Sequence, residues 1–212
     1  MTPRFAEAVD PIFLYVVDLL DRIGATESLD PSAERLQIRS RIDRAESKLG
    51  QSPDWELAKY ALTAWIDEVL IEAPWEGRRW WEEKSLEFDL FNTRDRFTEF
   101  YHRSTKAAEL SKKDALEVYY VCVVLGFRGI YRDPSAALLA DQLQLPPTLD
   151  AWAKKAALAI HLGQGVPPIL EAPRPATGAP PLEGKFLLIG AGMGGVVLSF
   201  ILMAMILWSV IR

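Results

Sequence analysis

Apolar residues recur every three or four positions along residues 1–165, which is the spacing of one face of an α-helix. Three segments show such a stripe. The first stripe contains Ile38, Ile42, Ala45 and Leu49, and the second contains Ala58, Leu62, Trp65 and Val69. The third contains Phe97, Phe100, Tyr101, Ser104 and Ala108. Residues 116–127 are apolar on nearly all faces, and because no other segment could pair with a lone strand, we expect a central helix there. The pattern predicts an all-α fold, a compact bundle of seven to eight helices.

Pairs that end in proline mark most of the predicted helix starts. These pairs are Asp10-Pro11, Asp30-Pro31, Ser52-Pro53 and Asp133-Pro134. The first side chain of each pair can accept a hydrogen bond from the first turn, and the fixed φ of proline suits the first helical position. Ser111 with Asp114 predicts another start, and Gly24 and Gly50 stand where helix C-termini are expected.

The C-terminal run of residues 186–211 contains no charged residue. As a helix it would be about 39 Å long, which exceeds the roughly 30 Å of a bilayer's hydrocarbon core. Lys185 and Arg212 flank the run, and Trp208 suits a membrane interface. We therefore expect one C-terminal transmembrane helix.

Residues 166–185 contain six prolines and no apolar periodicity, which predicts an extended linker that holds the N-terminal domain off the membrane. The N-terminus lacks the basic and then apolar pattern of a signal peptide. We therefore expect residues 1–165 to form a cytoplasmic domain and residues 186–211 to serve as its tail anchor, with the C-terminus on the far side.

The net charge is −5, which argues against a nucleic acid partner because phosphate binding depends on clustered lysine and arginine. The single cysteine, Cys122, cannot form an internal disulfide, so the domain suits a reducing compartment.

A glycine-rich motif in the apolar run matches the phosphate-binding motif of dinucleotide-binding proteins. Residues 190–195 match G-x-G-x-x-G, but that fold needs a βαβ unit and an acidic residue about 20 positions further on. No such carboxylate follows here, so we expect no cofactor. Gly190, Gly192 and Gly194 instead predict a close-packing face of a membrane helix, against either a second copy of the chain or another protein.

Asp67 and Glu68 are adjacent carboxylates within the second stripe's helix. Consecutive helical residues diverge by about 100°, so the two do not converge on one substrate, and catalysis is disfavoured. A solvated face and a protein-docking surface remain open. His102 and His161 each lack a second ligand at helical spacing, so we expect no metal site.

Three tryptophans, Trp75, Trp80 and Trp81, surround Arg78 and Arg79 in a short connecting segment. Some of them must belong to the core. Tryptophan and arginine are also the residues that anchor protein interfaces, so both interpretations stay open.

Two segments together resemble the signatures of the DotU/TssL family. They are ALTAWIDE at 61–68, followed by the three tryptophans, and LEVYYVCVVLGFRGIYR at 116–132. The resemblance covers about residues 5–165. The chain departs from the usual family pattern at residues 92–97 and at Ile130.

The resemblance implies an inner-membrane subunit of a bacterial type VI secretion system or its type IVB relative. It implies two small helical bundles joined in a hook, an IcmF/TssM-like membrane partner and cytoplasmic baseplate partners. We expect a non-enzymatic adaptor that docks through Asp67, Glu68, Trp75, Trp80 and Trp81, with a second copy of the chain as a further candidate partner. The alternatives are an unrelated tail-anchored adaptor and a membrane-bound enzyme that uses Asp67, Glu68 or His102.

Overall fold

The computed structural model describes residues 1–133 and 135–163, which form nine α-helices and one 3-10 helix and contain no strand. The α-helices are α1 (Pro3–Gly24), α2 (Pro31–Leu49), α3 (Pro53–Glu72), α4 (Arg78–Glu83), α5 (Leu86–Phe91), α6 (Arg96–Glu109), α7 (Asp114–Val124), α8 (Ala136–Gln142) and α9 (Leu149–Gly163), and the 3-10 helix is Gly129–Arg132. The all-α class is confirmed. The described helices exceed the expected seven to eight because α4, α5 and α8 are short, with six or seven residues each.

The central element is α3, which packs against α2, α4, α5, α6 and α7. Thirteen of its 20 residues are buried, among them Trp55 and Trp65, which are fully enclosed. The single stripe expected for this helix is therefore too narrow. Because neighbours cover α3 on several sides, its residues outside the stripe are buried as well.

Two of the predicted helix starts are confirmed by capping hydrogen bonds. The backbone N–H of Ser32 donates to Asp30 Oδ1 at 3.0 Å, and the backbone N–H of Trp55 donates to Ser52 Oγ at 3.2 Å. Each bond satisfies an N–H of the first turn that has no partner within the helix.

The predicted start at Asp10-Pro11 is wrong, because α1 runs through Pro11 without interruption. Pro11 is exposed, as is Glu7, whose carbonyl would otherwise pair with residue 11, so water can satisfy the freed carbonyl. Across the proline, α1 keeps a buried stripe that includes Val9, Ile12 and Val16. The packing of this stripe outweighs the lost hydrogen bond.

The apolar segment at 116–127 is helical, as predicted, as far as Val124, where α7 ends; residues 125–127 belong to the turn that follows. The helix begins at Asp114 rather than near Ser111. Asp114 is held by the N-terminal segment, since the backbone N–H and the hydroxyl of Thr2 donate to its carboxylate at 2.6 and 2.8 Å. The N-terminus of α1 and the start of α7 are thereby joined.

The expected linker at 166–185, the expected transmembrane helix at 186–211 and its packing residues Gly190, Gly192 and Gly194 lie outside the described residues. Within residues 1–133 and 135–163, no helix combines the length and apolar character needed to cross a bilayer.

Gly50 follows the last residue of α2 with φ +73° and ψ −178°, a backbone conformation that residues with a side chain rarely adopt. We expect Gly50→Ala to lower the free energy of unfolding by about 1–3 kcal/mol in urea titrations of the full chain in detergent. Gly24→Ala is the matched control, because Gly24 also lies at a helix end and a Cβ there would meet no atom within 4 Å. Equal effects of the two substitutions would contradict the assignment of strain to Gly50.

Candidate functional site

Asp67 lies in the interior and joins α3 to the helices that follow it. Its side chain is fully buried. Trp81 Nε1 and the backbone N–H of Leu86 each donate to Oδ1 at 2.9 Å, and the backbone N–H of Glu87 donates to Oδ2 at 2.8 Å. The expectation that Asp67 lies on a solvated or docking face is wrong, because α4 and α5 cover that side of α3.

Opposing effects act on the ionisation of Asp67. Burial raises its pKa, while the hydrogen bonds from Glu87, Leu86 and Trp81 lower it. All three partners are N–H donors, which suit a carboxylate that only accepts. Two of them belong to the first turn of α5, where backbone N–H groups lack partners within the helix. Asp67 therefore fixes the position of α5 relative to α3.

Glu68 is also buried, with 1% of its surface exposed, so its expected surface position is wrong too. The backbone N–H of Arg128 donates to Oε1 at 2.7 Å, and the backbone N–H of Gly129 lies 3.2 Å from both carboxylate oxygens. These donors begin the 3-10 helix after α7. Glu68 thus binds segment 61–68 directly to segment 116–132.

Gly129 allows this close approach. Its φ of +53° is in the left-handed region, and a Cβ would lie 2.8 Å from the carbonyl oxygen of Phe97 and 3.0 Å from the rings of Phe127 and Tyr101. The Tyr101 hydroxyl donates to the Arg128 carbonyl at 2.8 Å. The loop after α7 is therefore held from two sides, by α3 and by α6.

A third buried carboxylate, Glu87, was not found by sequence reasoning. The Tyr60 hydroxyl donates to Glu87 Oε1 at 2.8 Å, and Arg96 Nη1 lies 3.9 Å from Oε2. Burial raises the pKa of Glu87, and the Tyr60 hydrogen bond opposes this effect. Glu87 follows Ser85 at an ordinary helix start, so no local pattern distinguishes it from a solvated residue.

The three tryptophans divide between core and surface. Trp81 is fully buried, whereas Trp75 and Trp80 are only partly buried. Trp75 lines a cleft of about 490 Å³ between the α1–α2 connection and the segment before α4, which Arg78 also lines. Of the five residues predicted to dock a partner, Trp75 and Trp80 alone reach the surface.

Asp67 and Glu68 have no carboxylate oxygen without a hydrogen-bond donor. Both oxygens of Asp67 and both of Glu68 accept hydrogen bonds, and their donors belong to different loops. Burial raises the pKa of the Cys122 thiol well above its usual value, which disfavours the thiolate. In the part of the chain that the structure describes, no three potential metal ligands are grouped. Asp67 and Glu68 hold the start of α5 and the turn after α7 against α3.

Comparison of the chain with models of known protein families shows which family it belongs to. A family model described as type VI secretion system protein DotU matches residues 4–211. The chain belongs to the DotU family. The resemblance inferred from segments 61–68 and 116–132 is thereby confirmed. No curated protein sequence matches the chain.

Two solved DotU/TssL structures share the fold. The cytoplasmic domain of TssL from Acinetobacter baumannii has a TM-score of 0.58 and 23% identity, covering 75% of this chain and 98% of that one. The crystal structure of SciP/TssL from enteroaggregative Escherichia coli 042 has a TM-score of 0.50 and 20% identity, covering 63% of this chain and 79% of that one.

Asp67→Asn keeps the side chain's shape but turns one acceptor into a donor that faces an N–H group. We expect the free energy of unfolding to fall by about 2–4 kcal/mol, measured by urea titration with tryptophan fluorescence. The control is Asp43→Asn on α2, where the side chain is 59% exposed and the cost should stay within about 0.5 kcal/mol. Similar small costs for both would contradict a structural role for Asp67.

Glu68→Gln and Gly129→Ala act on the same loop, so their effects should not add. Each should cost about 2–3 kcal/mol, and the double variant less than the sum, because the second change acts on a loop that is already released. Gly129→Ala with Asp67→Asn is the control pair, and its costs should be closer to additive. Full additivity of the first pair would contradict the direct link between the two segments.

Proposed function

We propose that the chain is a non-enzymatic structural subunit of the type VI secretion membrane complex that links this complex to the cytoplasmic baseplate. The observation that carries the proposal is the network formed by the two DotU-like segments. In this network both oxygens of Asp67 and both of Glu68 accept hydrogen bonds from loops and helix starts, as expected of a rigid docking module rather than of a catalyst. Membership of the DotU family favours the type VI context over the type IVB one.

The surface we assign to partner docking is the tryptophan–arginine surface, defined as Trp75, Arg78, Arg79 and Trp80. Arg78 and Arg79 are exposed, and the two tryptophans are partly exposed beside them. Asp67 holds the helix α4 region through Trp81, so these side chains are positioned before a partner arrives. Such preorganisation lowers the entropic cost of binding, and tryptophan and arginine are the residues enriched in interface hot spots.

The remaining parts of the proposal follow from the sequence. Residues 186–211 would anchor the chain in the bacterial inner membrane, with the N-terminal domain in the cytoplasm. Gly190, Gly192 and Gly194 would pack against an IcmF/TssM-like membrane protein or against a second copy of the chain.

Arg78→Glu together with Arg79→Glu tests the docking surface. We expect binding of purified baseplate proteins to the full chain to weaken at least about tenfold, because both charges that flank the tryptophans are inverted. Affinity would be measured on chain purified in detergent. Charge reversal at Asp67 or Glu68 would not serve here, because both side chains are buried and the fold itself would be disturbed.

Arg44→Glu is the matched control, an exposed arginine on α2 outside this surface. It should leave baseplate affinity unchanged. If the double variant keeps its affinity while its unfolding is normal, the tryptophan–arginine surface is not the docking site. If the unmodified chain retains no secretion-system partner on purification from membranes, the proposed function itself fails.

A further inference from the structure

The lysines of the domain are unevenly distributed. Five of the eight in the described residues lie on the C-terminal part of α6, on the α6–α7 connection and on α9, although the whole chain is acidic at −5. These five are Lys106, Lys112, Lys113, Lys154 and Lys155. The carboxylates on the same segments are Glu109, Asp114 and Asp150. Asp114 is buried and bound to Thr2, and Asp150 forms an ion pair with Lys154 at 2.8 Å. The exposed charge of this region is therefore positive.

Exposed leucines lie beside these lysines. Leu158 is 60% exposed and Leu162 is 72% exposed. With Lys154 they follow each other at intervals of four residues, so the three share one face of α9. That face turns away from the core, which α9 contacts through Trp152, Ala156 and Ile160.

The lysine-bearing segments lie next to one another in the structure. A cleft of about 480 Å³ is lined by Lys112 and Lys113 together with Gly163, the last residue of α9. Asp114 and Glu117 also line this cleft, and Glu117 pairs with the N-terminal amine of Met1. Lys155 lines a second cleft together with Thr105 and Ala108 of α6. We call the combined region the basic end, defined as Lys106, Lys112, Lys113, Lys154, Lys155, Leu158 and Leu162.

We propose that the basic end lies on the surface of an anionic lipid bilayer, the one in which the chain's own C-terminal segment is anchored. This inference rests on the anchor in the proposed function. The chain leaves the basic end at Gly163, and residues 164–185 alone separate it from the apolar run that starts at residue 186. The membrane is therefore available at high local concentration to this end of the domain.

The composition of the basic end favours lipid over a protein partner. Protein interfaces are depleted in lysine and enriched in arginine and aromatic residues. The segments 104–113 and 149–163 contain no arginine, and their one tryptophan, Trp152, is 5% exposed. Lysines beside exposed leucines are typical of helices that lie at a membrane surface, where lysine binds anionic headgroups and leucine enters the boundary region.

A domain whose basic end lies on the bilayer differs from a domain that its linker holds away from the membrane. In the linker interpretation of residues 166–185, Leu158 stays in water. In the arrangement proposed here, Leu158 meets lipid. An environment-sensitive fluorophore at this position distinguishes the two.

The experiment uses the full chain in nanodiscs with Cys122→Ala, which removes the single buried thiol. Leu158→Cys carries an NBD fluorophore, and Leu36→Cys on α2, where the leucine is 68% exposed, carries the same fluorophore as the matched control. Discs of phosphatidylethanolamine with phosphatidylglycerol are compared with discs of phosphatidylcholine alone. Both contain nitroxide-labelled lipid, which quenches a fluorophore close to the bilayer.

We expect quenching at position 158 to exceed that at position 36 at least about twofold in anionic discs, and this excess to fall in phosphatidylcholine discs. Lys154→Glu with Lys155→Glu, or high salt, should remove the excess, because exposed charges are then reversed or screened. Equal quenching at positions 158 and 36, or an excess that is independent of lipid charge, would overturn the inference.

Extraction of the membranes at alkaline pH tests the C-terminal anchor separately from the lipid contact of the basic end. A chain that resists extraction while position 158 stays unquenched leaves the anchor intact and overturns the lipid contact alone. A chain that alkali releases from the membrane overturns the anchor in the proposed function, and the lipid contact with it.

Discussion

The fold depends on two consecutive carboxylates that are buried on one central helix. Placing an ionised carboxylate in a protein interior costs several kcal/mol unless its oxygens are satisfied. Hydrogen bonds that involve a charged group contribute about 1.5–3 kcal/mol each, so the three donors around Asp67 offset part of that cost, and burial still raises the pKa of Asp67. Because residues 67 and 68 point in different directions from α3, one helix holds two separate loops.

This constraint explains why segments 61–68 and 116–132 occur together. Glu68 needs backbone N–H donors at a helix start, and the turn at Arg128 and Gly129 supplies them. Position 129 of this turn requires glycine, because the Phe97 carbonyl oxygen and two aromatic rings occupy the space where a Cβ would lie. Neither segment is satisfied without the other, so both contribute to the fold of the domain.

The sequence was informative where the cause of a structure is local and misleading where it is not. The starts at Asp30 and Ser52 depend on side chains within one turn, and the structure has both. The burial of Asp67 depends on α4 and α5, which a helical wheel of α3 does not contain. Asp10-Pro11 has the local signature of a start, yet the buried stripe of α1 continues through it. Glu87 is paired with Tyr60 across 27 positions, and no local pattern records that pairing.

The positions of the charges then separate two surfaces by chemistry. In α4 and the turn before it, Arg78 and Arg79 lie between the partly exposed Trp75 and Trp80, and Asp67 fixes that region through Trp81. On α9, lysines flank exposed leucines. Arginine forms directional contacts with a defined partner, whereas lysine is a flexible point charge that suits a fluid headgroup layer. We propose that the first surface meets a protein partner and that the second meets lipid headgroups. The buried carboxylates keep the first rigid, while the second requires no fixed geometry.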